Sequence, residues 1–425
     1  MSRQAKTANL LRAVHRVSSL DFADRTGFHV GHLAVSSMEA VSLFSSPHLD
    51  SVHLSCVSPG TSVRIVNVLD AVEPRAKGPG GGGIFPGFLG PAQPQGRGVT
   101  HVLQGAAVVV AGHLPRAQEA IIDMSGEGAG LSPLGATHNI VVEFVPSPDA
   151  PWAEVELALR RGSLRLAARL AEAALLASPA EEVHLPPMIS TRASGLPRLG
   201  IITNVQTQGP AKDVFLYGAS LSGSMPVFLD PTELEDGAIV SGQFGHPALR
   251  NPTYLYQNHP VVNVLRARDG DDLEFRGLIV CPEPEDMARK ELVSAVAARL
   301  CTVLGFDAVI VTKEGGGNAD ADVAFKMDEL ERLGIESVGL FGEMAGKDGT
   351  GPPIVLQPSL ATGLVSTGNY DERVHLKPVD LALGGDWVTF ANAPASGELE
   401  VPLAAIVAAL SPLGWGNLRA VEAFK

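Results

Sequence analysis

The loop at residues 313–320 combines residue types that could bind and transform a small molecule. It follows the apolar run DAVIVT at 307–312. The candidate site residues in it are Lys313, Glu314, Gly315, Gly316, Gly317 and Asn318. A carboxylate can transfer protons, and glycine amides allow a ligand to approach the backbone closely. The same residues are also explained by a plain turn. In that case Asn318, Asp320 or Asp322 would cap the next helix. This loop contains neither GxGxxG nor a Walker pattern, so a phosphate role is disfavoured.

A second loop follows the apolar run SVGLFG at 337–342 and places Glu343, Lys347 and Asp348 within six residues. Two carboxylates and a lysine so close together could do acid–base work, which makes Glu343 and Asp348 catalytic candidates. A solvated turn accounts for them equally well. The sequence leaves both interpretations open.

A third loop, residues 241–260, carries His246, Tyr254, Tyr256 and His259. Histidine titrates near neutral pH, so it can act as a general base or ligate a metal. Taken alone, the segment is more typical of a loop with exposed histidines and packed tyrosines. We retain His246 and Tyr254 as catalytic candidates.

The elements that must position these loops divide the chain into three parts. Residues 1–25 are expected to be an N-terminal extension, where the spacing of Leu10, Leu11 and Val14 allows a short helix. Residues 26–148 contain short runs rich in β-branched residues, which predict a mainly β domain. The segment 75–98 is crowded with glycine and proline and is expected to be an irregular loop.

Residues 149–425 are predicted to form an α/β domain. A helix is expected at 151–178, followed by strands at 198–205 and 273–281, a helix at 284–305, a strand at 307–313, a helix at 322–334, and strands at 335–343 and 362–368. Alternating strands and helices predict a doubly wound parallel sheet. Ligands of such sheets bind beyond the carboxyl ends of the strands, where the first two loops begin.

Composition excludes several classes of function. The 425 residues carry a net charge of −14, which disfavours nucleic-acid binding. The longest apolar run, GAAVVVAG at 105–112, is far below the ~20 residues of a membrane-spanning helix, and the first residues lack the apolar core of a secretory signal. Three widely spaced cysteines provide no disulfide framework. We therefore expect a cytoplasmic protein without membrane or nucleic-acid partners.

Several specific stretches resemble one known family. They are EPR at 73–75, GGGIFPG at 81–87, GRGVTHVLQGAAVV at 96–109, AIIDMSGEGA at 120–129, QTQG at 206–209, PTELEDGAIVSG at 231–242, NPTY at 251–254, EGGGNADAD at 314–322 and GEMAGKDG at 342–349. With them the chain resembles the proprotein of component B of the glycine, sarcosine and betaine reductases, over about residues 25–425. His101 and Gln208 lie within these motifs, and this position makes them candidate substrate-binding residues.

The resemblance implies a specific chemistry. Proproteins of this family cleave themselves at an internal cysteine, which becomes a pyruvoyl group that forms a Schiff base with the substrate amine. A partner subunit then attacks with a selenol or thiol and breaks the C–N bond. The family typically has Asn-Cys after DGAIVSG, whereas this chain has Gln243 and Phe244. We therefore expect neither self-cleavage nor a pyruvoyl group.

Histidines lie close to the position of the missing thiol. His246 is two residues past Phe244, and His259 stands where the family usually has asparagine. Both could hold a divalent metal together with a carboxylate, and such a metal could polarise an amide carbonyl and activate water. The candidate carboxylates are Glu314, Asp320, Glu343 and Asp348.

The sequence thus predicts a non-processed component-B-like subunit of a hetero-oligomeric enzyme that acts on the C–N bond of a small amine, N-substituted glycine or amide. Glu314 or His246 would move protons, while Asn318 and the amides of 315–317 would hold a carboxylate. The partner would be a second component-B-like subunit that carries cysteine or selenocysteine. Two alternatives remain, a metal- or histidine-dependent amide hydrolase and a non-catalytic scaffold for such a partner.

Overall fold

The computed structural model describes residues 9–115, 119–187, 195–208, 214–242, 250–361, 363–411, 413–414 and, as backbone only, 419–422. The fold is mixed α/β, as predicted. Within the described residues, the helices are α1 (Ser37–Ser42), α2 (Gly126–Ala129), α3 (Trp152–Glu172), α4 (Thr232–Glu235), α5 (Thr253–Gln257), α6 (Pro260–Arg268), α7 (Met287–Leu304) and α8 (Asp320–Arg332). None of these helices has the length and hydrophobicity that crossing a bilayer requires.

The strands of the first part of the chain are β1 (Leu10–Arg16), β2 (Ser19–Phe22), β3 (Gly27–His29), β4 (His32–Val35), β5 (Leu49–Val57), β6 (Val63–Ile65), β7 (Val68–Val72), β8 (Arg75–Lys77), β9 (Gly98–Gln104), β10 (Ala106–Ala111), β11 (Ile122–Asp123), β12 (His138–Pro146) and β13 (Glu181–Leu185). Those of the second part are β14 (Arg198–Gln206), β15 (Phe215–Leu216), β16 (Ala219–Ser220), β17 (Val227–Leu229), β18 (Ile239–Val240), β19 (Glu274–Glu283), β20 (Ala308–Thr312), β21 (Glu336–Glu343), β22 (Gly363–Asn369), β23 (Arg373–Leu376), β24 (Leu381–Leu383), β25 (Trp387–Val388), β26 (Ala393–Pro394), β27 (Leu399–Pro402) and β28 (Arg419–Glu422).

The first part of the chain builds two four-stranded sheets, ordered β13-β1-β9-β8 and β5-β12-β10-β7. The short helix expected around Leu10–Val14 is wrong, because these residues form β1. This strand pairs with β9 on one side and β13 on the other. Leu10 and Val14 are buried there, and strand pairing on both sides satisfies the backbone that a helix would have paired internally. The domain boundaries at 25 and 148 stay predictions.

A seven-stranded sheet dominates the second part, in the order β17-β19-β14-β20-β21-β22-β28. Its five central strands, β19 to β22 with β14 among them, are parallel, while β17 and β28 are antiparallel edges. Helices α7 and α8 cover one face, with Val293 and Met327 packed on the strand residue Ile202. Helices α5 and α6 cover the other face. The predicted parallel sheet is thus confirmed, and its carboxyl edge is where the first two candidate loops begin.

The glycine-rich segment after β8 packs inward. Phe85 is fully buried, and its N–H donates to the carbonyl of Asp236 at 2.8 Å. A Cβ on Gly237 would lie 2.3 Å from the Phe85 ring, so only glycine allows this contact. The GGGIFPG motif therefore supports the DGAIV segment that leads into the third candidate loop.

Candidate active site

Polar side chains gather where β14, β19 and β20 end. Gln206 and Glu283 are direct neighbours in the parallel register of β14 and β19. Lys313 and Glu314 follow β20 immediately. We call Gln206, Tyr256, Glu283, Lys313, Glu314 and Tyr370 the strand-end cluster.

Glu314 holds the centre of the cluster and is fully buried. Its Oε1 accepts hydrogen bonds from the Asn251 N–H at 2.8 Å, the Asn251 Nδ2 at 2.9 Å and the Tyr256 hydroxyl at 2.6 Å. Its Oε2 accepts from the Gln206 N–H at 2.9 Å. The predicted proton-transfer residue is thus held by donors from two other parts of the chain, which fixes its orientation.

Glu283 is a cluster member that the sequence analysis missed. Its Oε1 accepts a hydrogen bond from the Glu314 N–H at 3.0 Å, and its Oε2 has no hydrogen-bond partner among the described residues. Burial, followed by the charges of Asp322 and Glu314, raises the pKa of this carboxyl well above its usual range, although Lys290 opposes the shift. A neutral carboxyl group can donate a proton as well as accept one. The available signal was its position at the end of an apolar run. It was missed because the strand was predicted to end at residue 281, two residues too early.

The lysines of the region are committed to ion pairs. Lys313, a predicted substrate-binding residue, pairs with Asp320, and its Nζ lies 5.9 Å from the centre of the Phe341 ring. On the helices behind the cluster, Lys290 pairs with Asp322, and Lys326 lies 3.6 Å from the same carboxylate. These groups are all buried, so they balance one another's charge inside the fold.

The three predicted glycines have different surroundings. Gly315 has φ +74°, and a Cβ there would lie 3.3 Å from the Gln206 amide nitrogen. A Cβ on Gly316 would lie 2.3 Å from the Met344 sulfur, whereas Gly317 has open space around it. Gly315 and Gly316 therefore serve close packing.

Two residues predicted for substrate binding contact each other. The Asn318 side-chain amide donates to Gln208 Oε1 at 2.6 Å and to the Glu285 carbonyl at 3.2 Å. Both side chains lie beside the cluster, at the side where Gly317 is open.

The second loop is only partly brought to this edge. Glu343 is buried at the end of β21 and accepts a hydrogen bond from Ser366. Asp348 is exposed and accepts from the Thr350 hydroxyl at 2.9 Å and its N–H at 3.2 Å, contacts that lower its pKa. The structure therefore places Asp348 in a solvated turn.

The third loop contacts the cluster through the residues that follow its undescribed part. Phe244 and His246 lie outside the described residues, which stop at 242 and resume at 250. On the near side, the Ser241 N–H donates to Thr253 Oγ1 at 3.0 Å, and the Ser241 carbonyl accepts from Arg160. On the far side, Asn251 binds Glu314. Of the described residues that flank this gap, Asn251 is therefore the one bonded to Glu314.

The tyrosines of this loop play different roles. Tyr254, a catalytic candidate, is partly buried against the hydrophobic core, and burial raises its pKa. Tyr256 is the one that contacts a site residue, through its bond to Glu314.

His259 is the N-cap of α6. Its Nδ1 accepts from the Val262 N–H at 3.4 Å, and its Nε2 lies 3.2 Å from the Thr203 hydroxyl. Burial, and next the charge of Arg266, lowers the pKa of His259 to about 3. Among the residues that the structure describes, no three His, Cys, Asp or Glu side chains are grouped as metal ligands. Both ring nitrogens of His259 have protein neighbours, Val262 and Thr203. A metal site that His259 shares with His246 stays a prediction.

His101 lies in another sheet, on β9. Its Nδ1 is 2.9 Å from Nε2 of His15, and the two rings stack with centroids 5.2 Å apart. Burial and His101 lower the pKa of His15 to about 4, so the pair is neutral at physiological pH. The structure does not bring His101 to the strand-end cluster.

Comparison with known proteins decides the family. The model of the family described as glycine/sarcosine/betaine reductase component B subunits matches residues 9–419. The chain belongs to this family. It is 36% identical over 416 residues to the glycine reductase complex component B subunits alpha and beta of Peptoclostridium acidaminophilum, covering 95% of this chain and 97% of the relative.

More distant relatives act in related complexes. The component B alpha subunits of the sarcosine and betaine reductase complexes of the same organism are 31% and 32% identical, each covering 87% of this chain and 87% and 86% of the relatives respectively. No solved structure matches the chain.

Two motifs of this component B family chain meet in a buried ion network. Arg75 pairs with Glu73 at 2.6 Å and Glu235 at 2.7 Å, and Lys77 pairs with Asp236 at 2.6 Å. The EPR motif thus locks the segment that leads to Ser241. Arg75 and Glu235 are 160 residues apart in the chain, so local sequence gives no signal of this contact.

Proposed function

We propose that this chain is a non-processed component-B-like subunit of a hetero-oligomeric enzyme that acts on the C–N bond of a small amine, N-substituted glycine or amide. Its relatives are named as components of glycine, sarcosine and betaine reductase complexes, which supports small amines as the substrate class. The observation that carries the proposal is Phe244, because the family resemblance implies a precursor cysteine at this position.

Peptide self-cleavage needs a nucleophile on the residue that follows the scissile bond. A phenyl ring has neither a thiol nor a hydroxyl, so Phe244 cannot attack the preceding carbonyl. The cysteines of the chain lie elsewhere, at Cys56, Cys281 and Cys301. Burial raises the pKa of Cys281 to about 12, which disfavours a thiolate there.

The strand-end cluster supports a role in C–N chemistry. An amine leaves more readily when its nitrogen is protonated. Glu283 could give its proton to an amine that arrives neutral, or stabilise as a carboxylate an amine that arrives as ammonium. Glu314, fixed by four hydrogen bonds, holds Glu283 through its own N–H. The nucleophile would come from a partner subunit with cysteine or selenocysteine.

The first experiment is intact mass under denaturing conditions, with a component B chain that carries the cysteine as the processed control. We expect one species of 44.3 kDa that does not react with borohydride. Two fragments that divide near residue 243, one with a reducible carbonyl at its new amino end, would overturn the proposal.

The second experiment separates a catalytic subunit from a scaffold. The chain is combined with its co-expressed partner, and release of amine from glycine or sarcosine is followed in the presence of a dithiol. We expect activity only in the mixture, and we expect Glu283→Gln to lower it. Full activity of the variant would favour the scaffold, while amide hydrolysis by this chain alone would favour the hydrolase.

A further inference from the structure

Several buried oxygens at the carboxyl edge of the sheet have no hydrogen-bond partner among the described residues. They are Asn204 Oδ1, Gln206 Oε1, Glu283 Oε2 and Tyr370 Oη. These side chains are at most 8% exposed. A buried polar atom left without a partner costs about 1–3 kcal/mol, so such a concentration calls for a bound group.

The orphaned oxygens lie near one another. Gln206 and Glu283 are in register on adjacent parallel strands, which are about 4.8 Å apart. Asn204, two residues before Gln206, points to the same face. A Cβ on Gly315 would lie 3.6 Å from Gln206 Oε1, so the loop after β20 also lies against this oxygen.

Tyr370 approaches from the next strands. A Cβ on Gly342 would lie 2.8 Å from its hydroxyl oxygen, so glycine at 342 makes room for the phenol. Burial and the nearby charges of Asp320, Glu283 and Glu314 raise its pKa, which places Tyr370 within electrostatic range of the cluster.

The chemistry of these atoms selects the ligand. Amide oxygens, and the carboxylate that Glu283 becomes when it loses its proton, accept hydrogen bonds, so a group bound among them must donate. The neighbouring Lys313 and Lys290 are held by Asp320 and Asp322 and do not fill this role. A small ammonium group presents several N–H donors and a positive charge in the space of a water molecule or two.

We propose that Gln206, Glu283 and Tyr370 together bind the ammonium group of a small primary or secondary amine. The inference rests on the proposed function, since it assigns the amine end of that substrate to one place. It also narrows the substrate class, because a quaternary ammonium has no N–H to donate.

The charges around Glu283 give the binding a signature. Glu314 from the loop after β20, Asp322 from α8 and Lys290 from α7 face this carboxyl, with Tyr370 beyond it. Burial and the two carboxylates favour the protonated form of Glu283 as long as no cation is bound. When a cation enters, the carboxyl loses that proton, so one ammonium is bound and about one proton is released.

The test uses isothermal titration of the full chain with methylammonium chloride, with tetramethylammonium chloride as the probe of equal charge that lacks N–H. Titrations in buffers of different ionisation enthalpy count the released proton. We expect methylammonium to bind with proton release and tetramethylammonium not to bind. Glu283→Gln should weaken binding by about tenfold or more, because a charge-assisted hydrogen bond contributes about 1.5–3 kcal/mol.

Two further variants keep the result interpretable. Tyr370→Phe removes one oxygen with little change in shape and should weaken binding by a few fold. Glu336→Gln changes an exposed carboxylate at the opposite end of β21 and should leave binding unchanged. Thermal midpoints report whether each variant is folded.

The outcomes separate this inference from the proposed function. Equal binding of both probes would mean that the site does not recognise N–H donors, and no binding by a folded chain would mean that it holds only ordered water. Either result would overturn the inference alone. A chain found cleaved by intact mass, yet still selective for methylammonium, would overturn the proposed function and leave the site standing.

Discussion

Replacing His259 with asparagine tests whether this imidazole is a helix cap. The side chain is 1% exposed and caps α6 through Nδ1. Asparagine is also a favourable N-cap, so His259→Asn keeps an acceptor for the Val262 N–H while it removes the titrating ring. The contact of Nε2 with Thr203 is lost, which should cost about 1 kcal/mol at pH 7.

The larger effect appears on acidification. The pKa of His259 is lowered to about 3 in the folded chain, and the unfolded value is about 6.5. Between these values the unfolded state binds the extra proton, so stability falls as pH falls. At pH 4.5 the loss due to this one residue is about 2.7 kcal/mol, from two pH units at about 1.36 kcal/mol each.

The assay is urea denaturation of both proteins at pH 7 and pH 4.5, followed by tryptophan fluorescence and circular dichroism. We expect the wild-type chain to lose about 2–3 kcal/mol more than His259→Asn between the two pH values. Zinc added at pH 7 should shift neither protein's midpoint. Equal pH slopes, or a zinc-dependent stabilisation that only the wild-type chain shows, would refute the assignment of His259 as a neutral cap.

Two other substitutions test the buried charges and the glycine loop. Lys290→Met removes one of the two lysines beside the buried Asp322 and leaves only Lys326, at 3.6 Å. It should lower the free energy of unfolding, measured by urea denaturation, by about 3–5 kcal/mol. Arg332→Met, in the exposed pair with Glu329, should cause no measurable change. Gly315→Ala places a Cβ at φ +74° and in contact with Gln206, so it should lower the free energy of unfolding by about 1–2 kcal/mol or more. Gly317→Ala, at φ +70° but with open space around it, should lower it less. Equal losses of stability would contradict the packing argument.

The sequence predicted the parallel sheet well because its strands and helices carry strong local signals. The predicted helix at 284–305 contains α7, which ends where Gly305 adopts φ +73° as an αL cap. The expected helix around Leu10 failed because the same apolar spacing also fits a strand. Its partners, β9 and β13, lie about 90 and 170 residues away in sequence, so no local pattern reports them.

The site was predicted in part for the same reason. Glu314 follows a strand directly, so its position at the carboxyl edge could be inferred from local sequence. Its contact with Asn251 and the in-register pairing of Gln206 with Glu283 depend on tertiary structure. Asp348 resembled Glu343 in sequence, yet the turn around Gly346 and Gly349 directs it to solvent.

The halves of the polypeptide on either side of the third loop are interlocked. Strand β24 pairs in parallel with β6. Arg64, which lies on β6, donates hydrogen bonds to the carbonyls of Lys377, Ala395 and Gly397. Arg12 and Arg75, from the start of the chain, lie against Glu235, which Arg266 also contacts. A backbone break between 242 and 250 would therefore leave two pieces that travel as one particle through a sizing column or a native gel. The number of polypeptides would become visible only after a denaturant has unfolded the core that both pieces share.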